Sequence, residues 1–204
     1  MSTFIMIFSG LRQAIATSIG LLAYEFVRKK KIFGFFFCVI LACGFHHTAF
    51  MLLALYPLYH MNLKRKNLWF VIPVLLIVFV FNAQIFTFAT DLLTLFFGEG
   101  YDTEVEATGA YTTLVLFAFL AVFAYLIPDE KYMDKETIGL RNILLMAVVL
   151  QCFAPVHMLA MRMNYYFIIF IPILIPKILK SAPHRFGDIA WLAKVGMTGF
   201  FLIY

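Results

Sequence analysis

Two apolar stretches, residues 32–62 and 142–176, are each bounded by basic clusters at both ends. Lysine and arginine beside apolar runs mark the cytoplasmic side of a membrane, so both ends of each stretch belong on one face. A single helix over residues 32–62 would measure about 46 Å at 1.5 Å per residue, against a hydrocarbon core of about 30 Å. Each stretch is therefore expected to fold back on itself as a short helical hairpin. The first turn falls within residues 44–48 and the second within 155–158, where Pro155 disfavours helix continuation. Arms of roughly 20 to 25 Å leave the tips within or near the far leaflet. Irregular backbone at that depth is tolerated only inside protein or against a wet cavity.

Composition supplies the premise. Of 204 residues, 64% are hydrophobic and 13% charged, with a mean hydropathy of +0.94, whereas a soluble domain carries about 25% charge. Soluble enzyme folds, DNA-binding modules and disulfide scaffolds are excluded, and nucleic acid is not an expected partner despite the net charge of +5. The length allows at most about seven or eight crossings. The expected fold is all-α: a single transmembrane domain over residues 1–204, a polytopic helical bundle of about eight membrane helices that includes the two hairpins. Cys38, Cys43 and Cys152 lie in apolar runs and are odd in number, which suggests packing rather than disulfides or a metal knuckle.

The charges set the topology. Basic residues gather at 28–31, at 64–66, at Lys131, Lys135 and Arg141, and at Lys177, Lys180 and Arg185, so these four segments are read as cytoplasmic. Residues 89–110 hold Asp91, Glu99, Asp102, Glu104 and Glu106 and no lysine or arginine, which places them outside. Residues 3–26, 68–88 and 111–127 then cross singly, and residues 188–204 begin a further span. The linker-like stretches are 98–109 and 128–139. A span that starts two residues from the beginning, and an apolar run that stops at Tyr204, suggest a fragment of a longer polytopic protein.

Two arginines, Arg12 and Arg162, fall inside spans, and Lys194 lies near the start of the last run, where it can snorkel. A mid-membrane arginine costs about 2.5 to 3.5 kcal/mol on insertion scales. Ser9, Arg12, Gln13, Ala16, Thr17 and Gly20 share one polar and small-residue stripe that should face protein or water. Arg12 either binds an anion or bonds backbone carbonyls at a helix break. The first hairpin tip carries His46 and His47, which point about 100° apart on a helix and so suit one metal poorly. One of them is a candidate hydrogen-bond donor or general acid/base, the other a partner for exposed turn backbone. The second tip offers Gln151, Pro155 and His157, followed by Arg162, Asn164, Tyr165 and Tyr166. Arginines, histidine and phenols converging there would make a basic pocket for an oxygen-rich anion or a sugar; the tyrosines can equally form an interfacial belt. No nucleotide-binding loop, Cys-x-x-Cys or His-Glu-x-x-His occurs, and neither cofactor nor metal is expected.

Residues 10–16 (Gly-Leu-Arg-Gln-Ala-Ile-Ala), 42–49 (Ala-Cys-Gly-Phe-His-His-Thr-Ala) and 162–167 (Arg-Met-Asn-Tyr-Tyr-Phe), with Pro172 and Pro176 downstream, together resemble the EpsG family of Wzy-like exopolysaccharide polymerases. The resemblance covers residues from about 8 to 178 and implies a bacterial multi-pass protein of the inner (cytoplasmic) membrane. It implies an enzyme of the glycosyltransferase type that joins oligosaccharide units carried on polyprenyl pyrophosphate, in exopolysaccharide or capsule synthesis. The implied partners are that lipid-linked oligosaccharide, the bilayer and other polysaccharide-export proteins. By the same resemblance Arg12, His46 and Arg162 are the catalytic candidates, and Gln13, His47, His157, Tyr165 and Tyr166 would bind substrate. Two further readings stay open on the residues alone: a transporter subunit for an anion or a lipid-linked substrate, and a non-catalytic membrane scaffold.

Overall fold

A computed structural model describes residues 2–97 and 110–181, with side chains for residues 10–92 and 110–181. The side chain of Ser9, the acidic residues Glu99, Asp102, Glu104 and Glu106 with the linker 98–109, Arg185 and the final run with Lys194 lie outside the described residues. Within them every regular element is helical: α1 (Ser2–Arg28), α2 (Ile32–Phe45), α3 (Leu55–His60), α4 (Leu68–Val80), α5 (Asn82–Phe97), α6 (Ala110–Leu126), α7 (Lys135–Phe153), α8 (Met158–Ile168) and α9 (Ile171–Lys180), with 3-10 segments His47–Ala54 and Arg65–Asn67.

Residues 29–31 reverse the chain between α1 and α2. Lys30 takes φ 55°, and the amides of Lys30 and Lys31 donate to Val27 O at 3.0 Å and Phe26 O at 2.9 Å. That bonding closes the carbonyls left open at a helix end. The two helices then pack closely, because a Cβ on Gly34 would lie 2.4 Å from the Phe26 ring. The stripe on α1, expected to face protein or water, does both: Ala16 and Thr17 are buried and a Cβ on Gly20 would touch the Leu52 side chain, whereas Arg12 is exposed.

Both expected hairpins form. α2 ends at His46, whose backbone is extended at φ −148° and ψ 119°, and the chain returns so that Tyr56 packs on Phe35 with ring centroids 5.4 Å apart. The two rings lie on opposite sides of His46 in sequence, as a hairpin requires. The second hairpin turns at residues 154–157, after which Asn164 and Lys177 come back against α7, bonding Gln151 and Glu136.

Its arms, however, are not short. The 19 residues of α7 run from Lys135, not from Asn142, so the helix measures about 28 Å; the linker expected over 128–139 gives way to helix before its end. The Asp134 side chain caps α7 by accepting from Thr137 N at 2.7 Å, which recruits that extra turn. Burial pushes the Asp134 carboxyl up, but bonds from Thr137 and Lys177 outweigh it and hold it below its ordinary value. The returning arm breaks between α8 and α9, bent by 46°. Pro172 in the first turn of α9 accounts for the break, since its ring cannot follow a continuous helix.

Residues 68–88 do not form one straight helix either. The chain breaks at Phe81 and α5 turns away by 79°, with Asn82 accepting from Ala83 N and donating to Cys152 O at 2.9 Å. A side-chain amide that satisfies two main-chain groups makes a helix end stable within an apolar run. Among the described residues α7 is long and apolar enough to cross a membrane, and so is each bent pair if read as one span, giving three at most. The expected count of about eight membrane helices is not supported. The outer surface is nevertheless apolar, with Phe33, Ile40, Trp69, Phe70 and Val115 widely exposed, a pattern that marks contact with lipid or another protein.

α7 is the central element, with 13 of its 19 residues buried. At one end it gathers the basic segments. Glu136 accepts from Tyr24 (2.7 Å), Arg28 (3.3 Å) and Lys177 (2.8 Å), and Glu130 accepts from Arg65 N. Arg141, expected as a loop charge, is 1% exposed; it donates to Leu63 O at 2.6 Å, lies 3.6 Å from Glu130 and stacks 4.0 Å over the Tyr125 ring. Asn142 donates to Leu58 O and Met61 O at 2.9 and 2.7 Å, closing the end of α3.

This packing has two consequences for stability. A Cβ on Gly139 would sit 2.5 Å from the Tyr59 ring and 2.8 Å from Tyr59 O, whereas one on Gly44 meets nothing within 4 Å. Gly139→Ala should lower the melting temperature in detergent, as overpacking by about 1 to 3 kcal/mol does, and Gly44→Ala should leave it unchanged. Asn142→Leu leaves two buried carbonyls without their donor, each worth about 1 to 3 kcal/mol, and should melt earlier still. Equal melting of Gly139→Ala and wild type would show that α3 and α7 do not approach this closely.

Candidate functional site

Three elements meet at the end of the bundle opposite the basic segments. Arg12 and Arg28 stand about 24 Å apart along α1. On α8, the main-chain oxygen of Arg162 accepts from Gln13 Nε2 at 2.7 Å, which locks α1 and α8 in register at this level. The first hairpin tip completes the group: Thr48 Oγ1 lies 3.3 Å from Tyr166 Oη on α8, and His46 stands within electrostatic reach of Arg162, His47 and Arg12. Arg12, His46 and Arg162, far apart in sequence, thus share one neighbourhood with Gln13 and His47.

The segment after the tip holds it in place. His47–Ala54 is a 3-10 helix of eight residues, longer than the usual three or four, and such stretches need outside support. Thr48 Oγ1 lies 3.3 Å from Tyr166 Oη in a buried contact, Ala49 and Leu52 are fully buried, and Leu52 fills the space that Gly20 leaves open. This arrangement gives the two histidines different surroundings. His46 is half-buried, with an Nε2 that is fully buried and has no hydrogen-bond partner among the described residues, whereas His47 is exposed.

The remaining site candidates are placed differently again. Tyr166 is 1% exposed and braces the tip through Thr48, so it serves the site from behind. Tyr165 is 44% exposed and lines a cavity of about 500 Å³ between α1 and α8. His157 caps α8, its Nδ1 accepting from Leu159 N at 2.9 Å, and stacks on Phe86 at 5.2 Å. Gln151 and Asn164 form a buried chain that runs from Asn164 Nδ2 to Gln151 and on to Ala110 O. Sequence reasoning missed Thr48 as a bracing residue; its place just after the histidine pair in a turn was the available signal.

Chemically, the neighbourhood joins two guanidiniums, two imidazoles and a carboxamide, and among the described residues no carboxylate acts on His46. Such a set suits an anion with several oxygens, since guanidinium grips phosphate through two parallel donors. Among the described residues no group of three or more His, Cys, Asp or Glu side chains could hold a metal ion.

No curated protein and no solved structure matches the chain. The EpsG family matches it over residues 1–204, from the first residue to the last. A chain of this apolar composition matched over its whole length by that family is an exopolysaccharide-related membrane protein, and it belongs to the EpsG family.

Proposed function

We propose that this chain is the polymerising part of a multi-pass enzyme of the bacterial cytoplasmic membrane, one that joins oligosaccharide units carried on polyprenyl pyrophosphate at the outer face. The observation that supports it most is that the Gln13–Arg162 and Thr48–Tyr166 contacts gather Arg12, His46 and Arg162 into one neighbourhood, about one membrane leaflet or more away from the basic segments. With those segments cytoplasmic, the arginines lie toward the outer side, where lipid-linked units await assembly.

In this reading Arg12 and Arg162 hold the pyrophosphate of the donor. His46 takes the proton from the acceptor hydroxyl, whose oxygen attacks the anomeric carbon. The bond from that carbon to pyrophosphate breaks, and the electron pair leaves on an oxygen that the guanidiniums stabilise as its charge develops. No nucleotide is consumed, because the pyrophosphate bond already carries the activation. Gln13 keeps α1 and α8 aligned, and His47 contacts the sugar at the outer side of the tip.

The experiment is polymer length in cells that make each variant at matched protein level. Removing a donor that meets developing charge costs about 10²- to 10³-fold in rate, so Arg12→Ala, Arg162→Ala and His46→Ala should yield little or no long polymer. Arg12→Lys keeps the charge but loses the planar fork and should remain strongly impaired. His47→Ala should be milder. Long polymer at wild-type yield from Arg12→Ala or Arg162→Ala would make the arginines structural and sink the enzyme reading.

A further inference from the structure

The cavity between α1 and α8 begins at the level of the two arginines and runs along both helices toward the basic end, from Gly10 to Ser18 on one wall and from Tyr165 to Ile169 on the other. Three of its polar lining residues turn donors away. Thr17 Oγ1 donates to Gln13 O at 2.8 Å, Ser18 Oγ to Ala14 O at 2.9 Å, and Gln13 Nε2 to Arg162 O. With those donors engaged, the wall is mostly apolar and suits hydrocarbon better than a sugar or a water column. Gly10 and Ala14 are exposed, and a Cβ on Gly10 would meet nothing within 4 Å; the cavity is open along its side rather than sealed.

A groove with apolar walls and guanidinium groups at one end complements a molecule with one anionic head and one long apolar chain. We propose that the α1–α8 groove is the lipid-chain site of the enzyme: it takes the first isoprenoid units of the substrate while Arg12 and Arg162 hold its pyrophosphate. The assignment rests on the polymerase reading for the identity of the chain. It adds where that chain lies, and it explains how a head group near the far leaflet keeps its tail within the bilayer. Small side chains at positions 10, 14 and 18 leave room for the methyl branches of an isoprenoid. Tyr165 stands at the mouth, between head and tail.

The test is photolabelling of the full chain in nanodiscs by a polyprenyl pyrophosphate that carries a diazirine in its first isoprene units. Label should map to residues 10–18 and 165–169. Ala14→Phe, at an exposed position that tolerates bulk, should lower labelling roughly tenfold, the scale expected when about two methylenes are denied burial. Leu22→Phe, on an exposed site of α1 beyond the groove, should label as wild type does. Label on other helices, an unchanged yield from Ala14→Phe, or equal labelling of the groove by a diazirine phospholipid would each overturn the proposal. A neighbouring helix that closed the groove would show as Ala14→Cys unreactive to a lipid-soluble thiol reagent, with Cys38, Cys43 and Cys152 replaced by alanine, and would overturn it too. Labelling needs no polymerisation, so the two readings fail separately: correct labelling by a chain that makes no polymer sinks the enzyme alone, and normal polymer with label elsewhere sinks the groove alone.

Discussion

An apolar surround offers no hydrogen-bond partner to a helix end, and that constraint organises this molecule. The chain breaks its helices at His46, Phe81, residues 154–157 and Ile169, and each break exposes main-chain groups that protein must satisfy. Side chains from distant segments do so. Asn142 reaches the last carbonyls of α3, Arg141 reaches Leu63 O, and Asn82 reaches Cys152 O, while His157 caps the start of α8 locally. Each long-range bond fixes one helix against another, so satisfying the backbone also sets the packing.

The candidate site inherits its geometry from these bonds. α7, buried on most of its surface, carries Glu136 and Arg141 at one end and Gln151 near the other. The first end collects the basic segments, and the second holds α8 through Asn164. α8 in turn presents Arg162 to α1 and Tyr166 to the first hairpin tip. A displacement of α7 would therefore separate Arg12, His46 and Arg162 without touching any of them. That dependence separates the bracing residues Thr48, Tyr166 and Asn164 from the groups that face the site.

Several features were legible in the residues. Basic clusters at both ends of residues 32–62 and 142–176 required a reversal inside each stretch, and Pro155 marked one of the turns. The polar stripe on α1 implied a surface facing protein or water, and Ala16 and Gly20 face protein. Three short motifs around Arg12, His46 and Arg162 carried the family. Other features were hidden. Hydropathy reads residues 68–88 as one run, and only the bonds from Asn82 to Ala83 and Cys152 reveal its break. Arg141 sits among loop charges in sequence, yet Tyr125, Glu130 and Leu63 converge to bury it.

By itself the sequence determined the all-helical class, the membrane character, the presence of two reversals and the residues that must be polar inside apolar segments. It could do so because those properties depend on local hydropathy, on charge and on the cost of an unsatisfied polar group, each of which can be counted along a chain. Tertiary structure alone decided where helices break, how long each arm is, and which of the polar residues meet. These depend on partners 41 to 149 residues away, such as Ala110 for Gln151 and Arg162 for Gln13. No local pattern encodes the partner of a side-chain amide, since any main-chain carbonyl within reach would satisfy it. The packing of α1, α7 and α8 selects one.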